Sequence, residues 1–394
     1  MVVYAFSGVG FTGSNLILAR VLPTEQYALF TLVIALGNLG YSVAPVGLDG
    51  VVTRRHLDAD RRLLVQACRA AFLVGLAFAA VGMLSYGVSL PLAGMLLVSA
   101  ASGGLMVVAS ARLQSEHRFA HALALGQSPN IMLLAAALAS VATRIPGAWL
   151  PLLISTLGFV AAAVYGWTTL LREAARRPAG TTTFSWAEAI AFAGFNASGL
   201  LLIQLERLVL PHLLPLTQLA VYGVLGAIAG SVYRVMQMGV GFSLLPRLRA
   251  ATTVVDRRRL IAHEARLVGA MVLVGSAAIW IGTPLLERWV LAGKYHLGAP
   301  LLLAAVVSGI AKIANSFAKA TASALAEPRE LSLINAMGWV SVALALLGAY
   351  LGARWGLAGV IYGVALGWGL RALVTIVMVA RHLRLPVSVP AVAP

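Results

Sequence analysis

The chain has 394 residues, is 60% hydrophobic and only 11% charged, and carries a formal charge of +16. Soluble domains hold roughly a quarter charged residues, and no soluble core could enclose this much apolar surface, so the composition points to a bilayer as solvent. Cys68 is the only cysteine, which excludes an intramolecular disulfide and a cysteine-based metal site.

A membrane span needs about 20 predominantly apolar residues. Twelve such segments can be read in order: 2–22, 28–48, 64–88, 91–111, 120–142, 147–171, 187–211, 218–245, 265–284, 298–323, 331–351 and 357–380. The apolar runs are too long for strands and do not alternate, whereas helices satisfy their own backbone polar groups, as hydrocarbon requires. The first segment has neither a basic leader nor a cleavage signal and reads as a retained span, and its abrupt start suggests a helix that begins upstream. Within it, Gly8-Val-Gly-Phe-Thr-Gly13 matches a dinucleotide-binding pattern but follows no strand, so these glycines are expected to serve close helix packing. Gly226/Gly230 and Gly363/Gly367 read the same way. Pro45 with Gly47 is positioned to break helix 2 near its end. His117 and His121 lack a third ligand, no phosphate-binding loop occurs, and no metal or cofactor is expected. The tail 386–394 is rich in Pro and Val and is expected to be disordered.

Of the 29 basic residues, 19 fall after even-numbered spans or in the tail, 5 after odd-numbered spans and 5 within spans. The positive-inside rule then places the even loops and both termini in the cytoplasm. The charge is thus accounted for by topology, and nucleic acid is not an expected partner. Short loops leave no room for an extramembrane domain.

An internal repeat pairs Val21–Phe30 with Leu213–Tyr222, where Pro, Gln and Ala coincide and an aromatic closes each segment. An even number of spans per half implies two six-helix lobes, 1–177 and 178–385, related by a pseudo-two-fold axis along the membrane normal, with a site between them. The expected fold class is therefore all-α integral membrane.

Charges inside spans cost about 2.5–3.5 kcal/mol each on insertion scales and are functional candidates by default. Lys312 sits on a polar stripe with Ser308, Asn315, Lys319 and Ser323, which either contacts another helix or faces a cavity. Lys319 alone could also snorkel to the surface. Arg234, with Gln237 on its face, lies mid-span and reads as a cavity residue. Arg207 either lines a cavity or pairs with Glu206, and Arg371 lies near enough to a span end to snorkel. Arg20 closes span 1, while Asp49 ends span 2 beside Arg54 and Arg55 and reads first as a solvated charge. The second half thus holds five cations at depth against Glu206, an excess that water or an anionic ligand must compensate.

Several short motifs carry a family resemblance. Leu18-Ala-Arg-Val-Leu-Pro-Thr-Glu-Gln-Tyr-Ala-Leu-Phe30 resembles the opening of polysaccharide-export flippases, and Gly47-Leu-Asp49 before Arg54-Arg55 resembles their end of helix 2. Gln204–Leu210 with Ala220-Val-Tyr222 resembles the start of their second half, with Glu206 where Asp is common. Leu291-Ala-Gly-Lys-Tyr295 and Trp355-Gly-Leu-Ala-Gly359 resemble the turns before helices 10 and 12. The order of the motifs is more specific than any one of them. The resemblance is to O-antigen or exopolysaccharide flippases of the multidrug/oligosaccharidyl-lipid/polysaccharide exporter superfamily, and it implies a non-enzymatic transporter of the bacterial inner membrane. Its substrate would be an undecaprenyl-pyrophosphate-linked oligosaccharide, moved by alternating access through a cationic cavity, with membrane lipids around it and polymerase and glycosyltransferases as pathway partners. The short chain lacks the two extra helices of the lipid II flippase branch, which argues against a peptidoglycan substrate.

Together these readings nominate Arg234, Lys312, Arg207, Lys319, Asn315 and Arg20 for the cavity, and Glu206 and Asp49 for ion coupling. A drug/cation antiporter of the same superfamily would call for acids at depth. A membrane glycosyltransferase or polymerase would call for a larger loop than the segment around 285–297.

Overall fold

The computed structural model describes residues 2–175, 185–251 and 253–383. The expected lobe boundary at 177/178 and the tail 386–394 lie outside them. The described chain contains helices and no strand: α1 Val2–Val21, α2 Thr24–Val43, α3 Leu48–Arg55, α4 Arg61–Tyr86, α5 Leu90–Ser115, α6 Phe119–Thr143 and α7 Trp149–Ala174, followed by α8 Trp186–Leu213, α9 Leu216–Ala250, α10 Val254–Leu285, α11 Ala299–Leu325, α12 Pro328–Gly352 and α13 Gly356–His382. Apart from the short α3, these helices match the twelve expected spans one for one. Nine helical stretches among the described residues are long and apolar enough to cross a membrane, or ten if bent α8 counts as one, and one of the nine, Arg329–His382, contains both α12 and α13. The protein is an all-helical, multi-pass membrane protein.

The chain divides into two compact units, Met1–Ala227 with Trp289–Tyr295, and Ile228–Arg288 with His296–Pro394. In the first unit α1 packs on α6, α4 and α7 pack on α5, and α2 packs against both α5 and α8. A buried core at the arginine-rich end joins Leu48, Val51 and Val52 of α3 to Met106 and Leu113 of α5 and Trp167 of α7. In the second unit α13 packs against α11 and α12. There the small-residue reading holds: a Cβ on Gly363 would lie 2.1 Å from the Gly348 carbonyl oxygen, and one on Gly367 would lie 2.5 Å from that of Ser341. Elsewhere it holds unevenly. A Cβ on Gly10 would lie 3.4 Å from the Asn130 carbonyl oxygen, whereas one on Gly8, Gly13 or Gly230 would meet open space.

Helix 2 ends earlier than expected. The apolar run to residue 48 looked continuous, but α2 stops at Val43 and a turn through Ala44–Gly47 leads into α3. Pro45 and Gly47 make that break. Gly47 has a φ of +79°, and a Cβ there would lie 1.9 Å from the Ala189 carbonyl oxygen of α8. Left-handed backbone costs an L-residue about 1–2 kcal/mol, and here a collision adds to it. Gly87, which caps α4 at φ +63° with open space around it, separates the two effects. In detergent melts, Gly87→Ala is expected to lower stability by about 1–2 kcal/mol, and Gly47→Ala by clearly more. Equal losses would show that α8 simply yields.

Candidate functional site

Two polar regions occur in the first unit, one at each end of α8. At the arginine-rich end, α3 lies against the first turns of α8. Glu188, in the first turn of α8, accepts Arg55 at 2.7 Å and Arg54 at 3.6 Å. A carboxylate at that position also complements the helix dipole. A Cβ on Gly50 would touch the Phe192 ring at 2.9 Å, so glycine permits this approach. Beside the contact lies a cavity of about 580 Å³ whose wall includes Tyr41, Asp49, Thr53, Arg54, Gln114 and Phe192. Asp49 therefore faces a cavity and is not a freely solvated loop charge, and burial pushes its carboxyl above the usual carboxylate range. An aromatic pair, a carboxylate, a guanidinium and an amide suit a polar, partly apolar guest of modest size.

Next to this cavity stands a residue that sequence reading assigned to orientation alone. Arg112 is 6% exposed, donates to the His56 carbonyl at 3.0 Å and pairs with Asp58 at 3.1 Å and Glu116 at 3.0 Å. It ties the α3–α4 linker to α5. Only its position in a basic loop was visible in the sequence, and its buried partners are set by the tertiary fold.

At the opposite end, Tyr27 of α2 is fully buried, and Gly223 of α9 makes room for it, since a Cβ there would lie 3.2 Å from the Tyr27 hydroxyl. Arg207 donates to Gln204 at 3.1 Å, and its Nη2 lies near Gly226. Its neighbour Glu206 is fully buried. The segment before α11 closes this end. Lys294 donates to the carbonyls of Ala19 at 2.9 Å and Leu22, the last turn of α1, and Tyr295 packs edge-on to Tyr27 with centroids 6.3 Å apart. Burial pushes the Tyr295 hydroxyl up to about 12. A cation on the last carbonyls of a helix satisfies both the orphan acceptors and the dipole. Two of the motifs, Leu18–Phe30 and Leu291–Tyr295, are thus contact partners. Arg20 is exposed at the end of α1.

Asp49 and Glu206 are not brought together. Phe192, which shares the Asp49 cavity, lies 14 residues before Glu206 on α8, about 21 Å along a helix.

In the second unit, Ser308 and Asn315 of α11 are buried, Lys312 is half-buried, and Lys319 and Ser323 are exposed. The polar stripe therefore runs from the interior to the surface. Lys319 lies within electrostatic reach of Arg371 on α13. Arg371 is only 8% exposed, so protein encloses it and the snorkelling reading does not hold. Arg234 is exposed on α9, next to buried Tyr233, which shares a hydrogen bond of 2.9 Å with Ser276.

The fold, a bundle of long apolar helices, recurs in solved structures. The chain matches the structure titled lipid II flippase MurJ, inward closed conformation, with a TM-score of 0.61 at 12% identity, over 96% of this chain and 87% of that one. It also matches MATE in the bent conformation, with a TM-score of 0.53 at 14% identity, over 96% and 93%. No protein-family model and no curated protein sequence matches the chain.

Two outcomes follow from this geometry. Because burial raises the Asp49 carboxyl, the folded state holds that proton more tightly than the unfolded state. Its ionisation therefore opposes folding, increasingly as pH rises above the ordinary carboxylate value of about 4. Asp49→Asn should melt with wild type at pH 4 and above it at pH 8, whereas parallel melting curves across that range would contradict a desolvated Asp49. Replacing Lys294 by Met should cost about 1 kcal/mol in thermal unfolding and raise the protease sensitivity of α1. An unchanged digestion pattern would remove the capping role.

Proposed function

We propose that this chain is a flippase that moves an undecaprenyl-pyrophosphate-linked oligosaccharide across the bacterial cytoplasmic membrane for O-antigen, capsule or exopolysaccharide assembly. The observation that carries the reading is the imbalance of charge at depth in the spans of the second half: Arg207, Arg234, Lys312, Lys319 and Arg371 against Glu206, with Glu188 at a span edge. A diphosphate is doubly anionic, and partly desolvated arginine and lysine bind phosphate through strong charge-assisted hydrogen bonds. Arg234 and Lys312, assisted by Arg207, Lys319, Asn315 and Arg20, hold the head group while the prenyl tail stays in lipid. Rocking of two lobes, 1–177 and 178–385, carries it across. Glu206 and Asp49 are the acids available for proton or sodium coupling. The arginine-rich loops and both termini face the cytoplasm by the positive-inside rule, and the polymerase and glycosyltransferases of the pathway act on either side of this step. The shared fold with a protein titled lipid II flippase supports a lipid-linked substrate in general.

One observation favours a drug or cation antiporter instead: the Asp49 carboxylate in a cavity wall. Complementation separates the two readings. In a strain whose surface polysaccharide depends on this gene, Arg234→Ala and Lys312→Ala are each expected to lower surface polysaccharide at least tenfold at unchanged protein level, with no change in drug susceptibility. Wild-type polysaccharide in both variants would remove the cation assignment. Loss of drug resistance with intact polysaccharide, seen in Asp49→Asn, would establish the antiporter.

A further inference from the structure

Helix α4 carries a cationic site that the flippase reading leaves unused. Its buried face, which includes Leu63, Ala67, Ala70, Ala71 and Gly75, packs inward. Its outer face begins with Arg61 and Arg62, continues through Val65 and Gln66 to Arg69, and then turns wholly apolar. These five residues line a shallow depression of about 480 Å³. Below it, Phe72, Leu73 and Leu76 are 52%, 65% and 47% exposed. All three arginines are exposed, and among the described residues none has a hydrogen bond or ion pair. The nearby acids are engaged elsewhere: Asp60 accepts the Leu63 amide at 2.7 Å to cap α4, and Asp58 pairs with Arg112. Neighbouring arginines at this end, Arg54, Arg55, Arg112 and Arg118, all have carboxylate partners.

We propose that this face binds one anionic glycerophospholipid, its phosphate between Arg61, Arg62 and Arg69 and its acyl chains along Val65, Phe72, Leu73 and Leu76. Three geometric facts favour that occupant. Arg69 lies eight residues after Arg61, about 12 Å along the axis, and helical side chains tilt toward the N-terminus. Arg61 and Arg62 tilt the same way, so the three cations stand as a ladder about two turns long along one depression, with Arg69 at its inner edge. Arg69 is the point where the helix surface changes from charged to apolar, which is the level of a lipid phosphate. Finally, the groove has positive charge above and grease below, matching a diacyl lipid in both parts, whereas a free anion would leave the apolar half without a partner.

Cys68, exposed beside the groove and the only cysteine, gives a native reporter position. The full chain, labelled there with an environment-sensitive fluorophore, is reconstituted in phosphatidylcholine vesicles containing brominated phosphatidylglycerol or brominated phosphatidylcholine. Phosphatidylglycerol is expected to quench at a mole fraction at least about fivefold lower. The preference should vanish in Arg61→Gln/Arg62→Gln/Arg69→Gln and persist in the corresponding triple Lys variant, which controls for folding. Equal quenching by the two lipids, or a preference that survives the Gln variant, would overturn the proposal. So would loss of the preference in millimolar inorganic phosphate at constant ionic strength, which marks a site for free anions.

Discussion

Hydrocarbon supplies no water to a polar group, and the rest of this structure follows from that constraint. Backbone groups are satisfied inside helices, and short polar side chains are satisfied by their own helix. Thr31 returns its hydroxyl to the Tyr27 carbonyl at 2.9 Å, Ser140 to Ala136 at 2.9 Å, Thr156 to Leu152 at 2.8 Å and Thr375 to Arg371 at 2.8 Å. This i−4 bonding lets a hydroxyl cross apolar surroundings without a neighbour. Arginine and lysine cannot use it. Each long cation must find a carboxylate, a carbonyl, an amide or the membrane surface, and those few solutions fix where the helices of the first unit meet.

Helix α8 shows this most clearly. It is built of two segments, Trp186–Gly194 and Ala197–Leu213, meeting at 46°. Each end is anchored to the first unit by polar contacts. Glu188 holds α3 at one end, while Tyr86 of α4 donates to the Leu208 carbonyl at 2.9 Å at the other. Between these anchors the contacts are apolar and small, as with Gly47 against Ala189. Packing through small residues sets distance, and polar contacts at the ends set register. A bilayer favours this division, because ion pairs near the aqueous edges avoid the full desolvation cost that they would meet at its centre.

The fold was legible because its signal is collective. Twenty apolar residues in a row admit one backbone solution in lipid, and twelve such runs were countable without any contact information. The break after Val43 was partly legible, since Pro45 and Gly47 announce a turn, but its position depends on α8 passing within reach of Gly47, a tertiary fact. Arg112 and Lys294 show the limit. Each looked like one more loop charge, because sequence registers the residue but not the carbonyls of His56, Ala19 and Leu22 that receive it. Arg371 misled in the other direction. One or two turns from a helix end permits snorkelling, yet the neighbouring helices enclose it. Asp49 likewise reads as a loop charge until Tyr41, Gln114 and Phe192, from three different helices, close a cavity around it.

The same arithmetic orders the cations of the second unit by depth. In the second unit α11 and α13 each run toward a basic segment, α11 to Arg329 and α13 to Arg381. At 1.5 Å per residue, Lys312 lies about 20 Å from the start of α11 and Lys319 about 30 Å, Arg371 about 22 Å from the start of α13, and Arg234 about 27 Å from the start of α9. Against a hydrocarbon thickness of about 30 Å, none is near the far surface. α9 has 35 residues and is therefore about 52 Å long, which puts Arg234 near its midpoint. Exposure does not follow distance along the helix: Lys319 and Arg234 are exposed, Lys312 is half-buried and Arg371 buried, so it is the packing of neighbouring helices that encloses a cation.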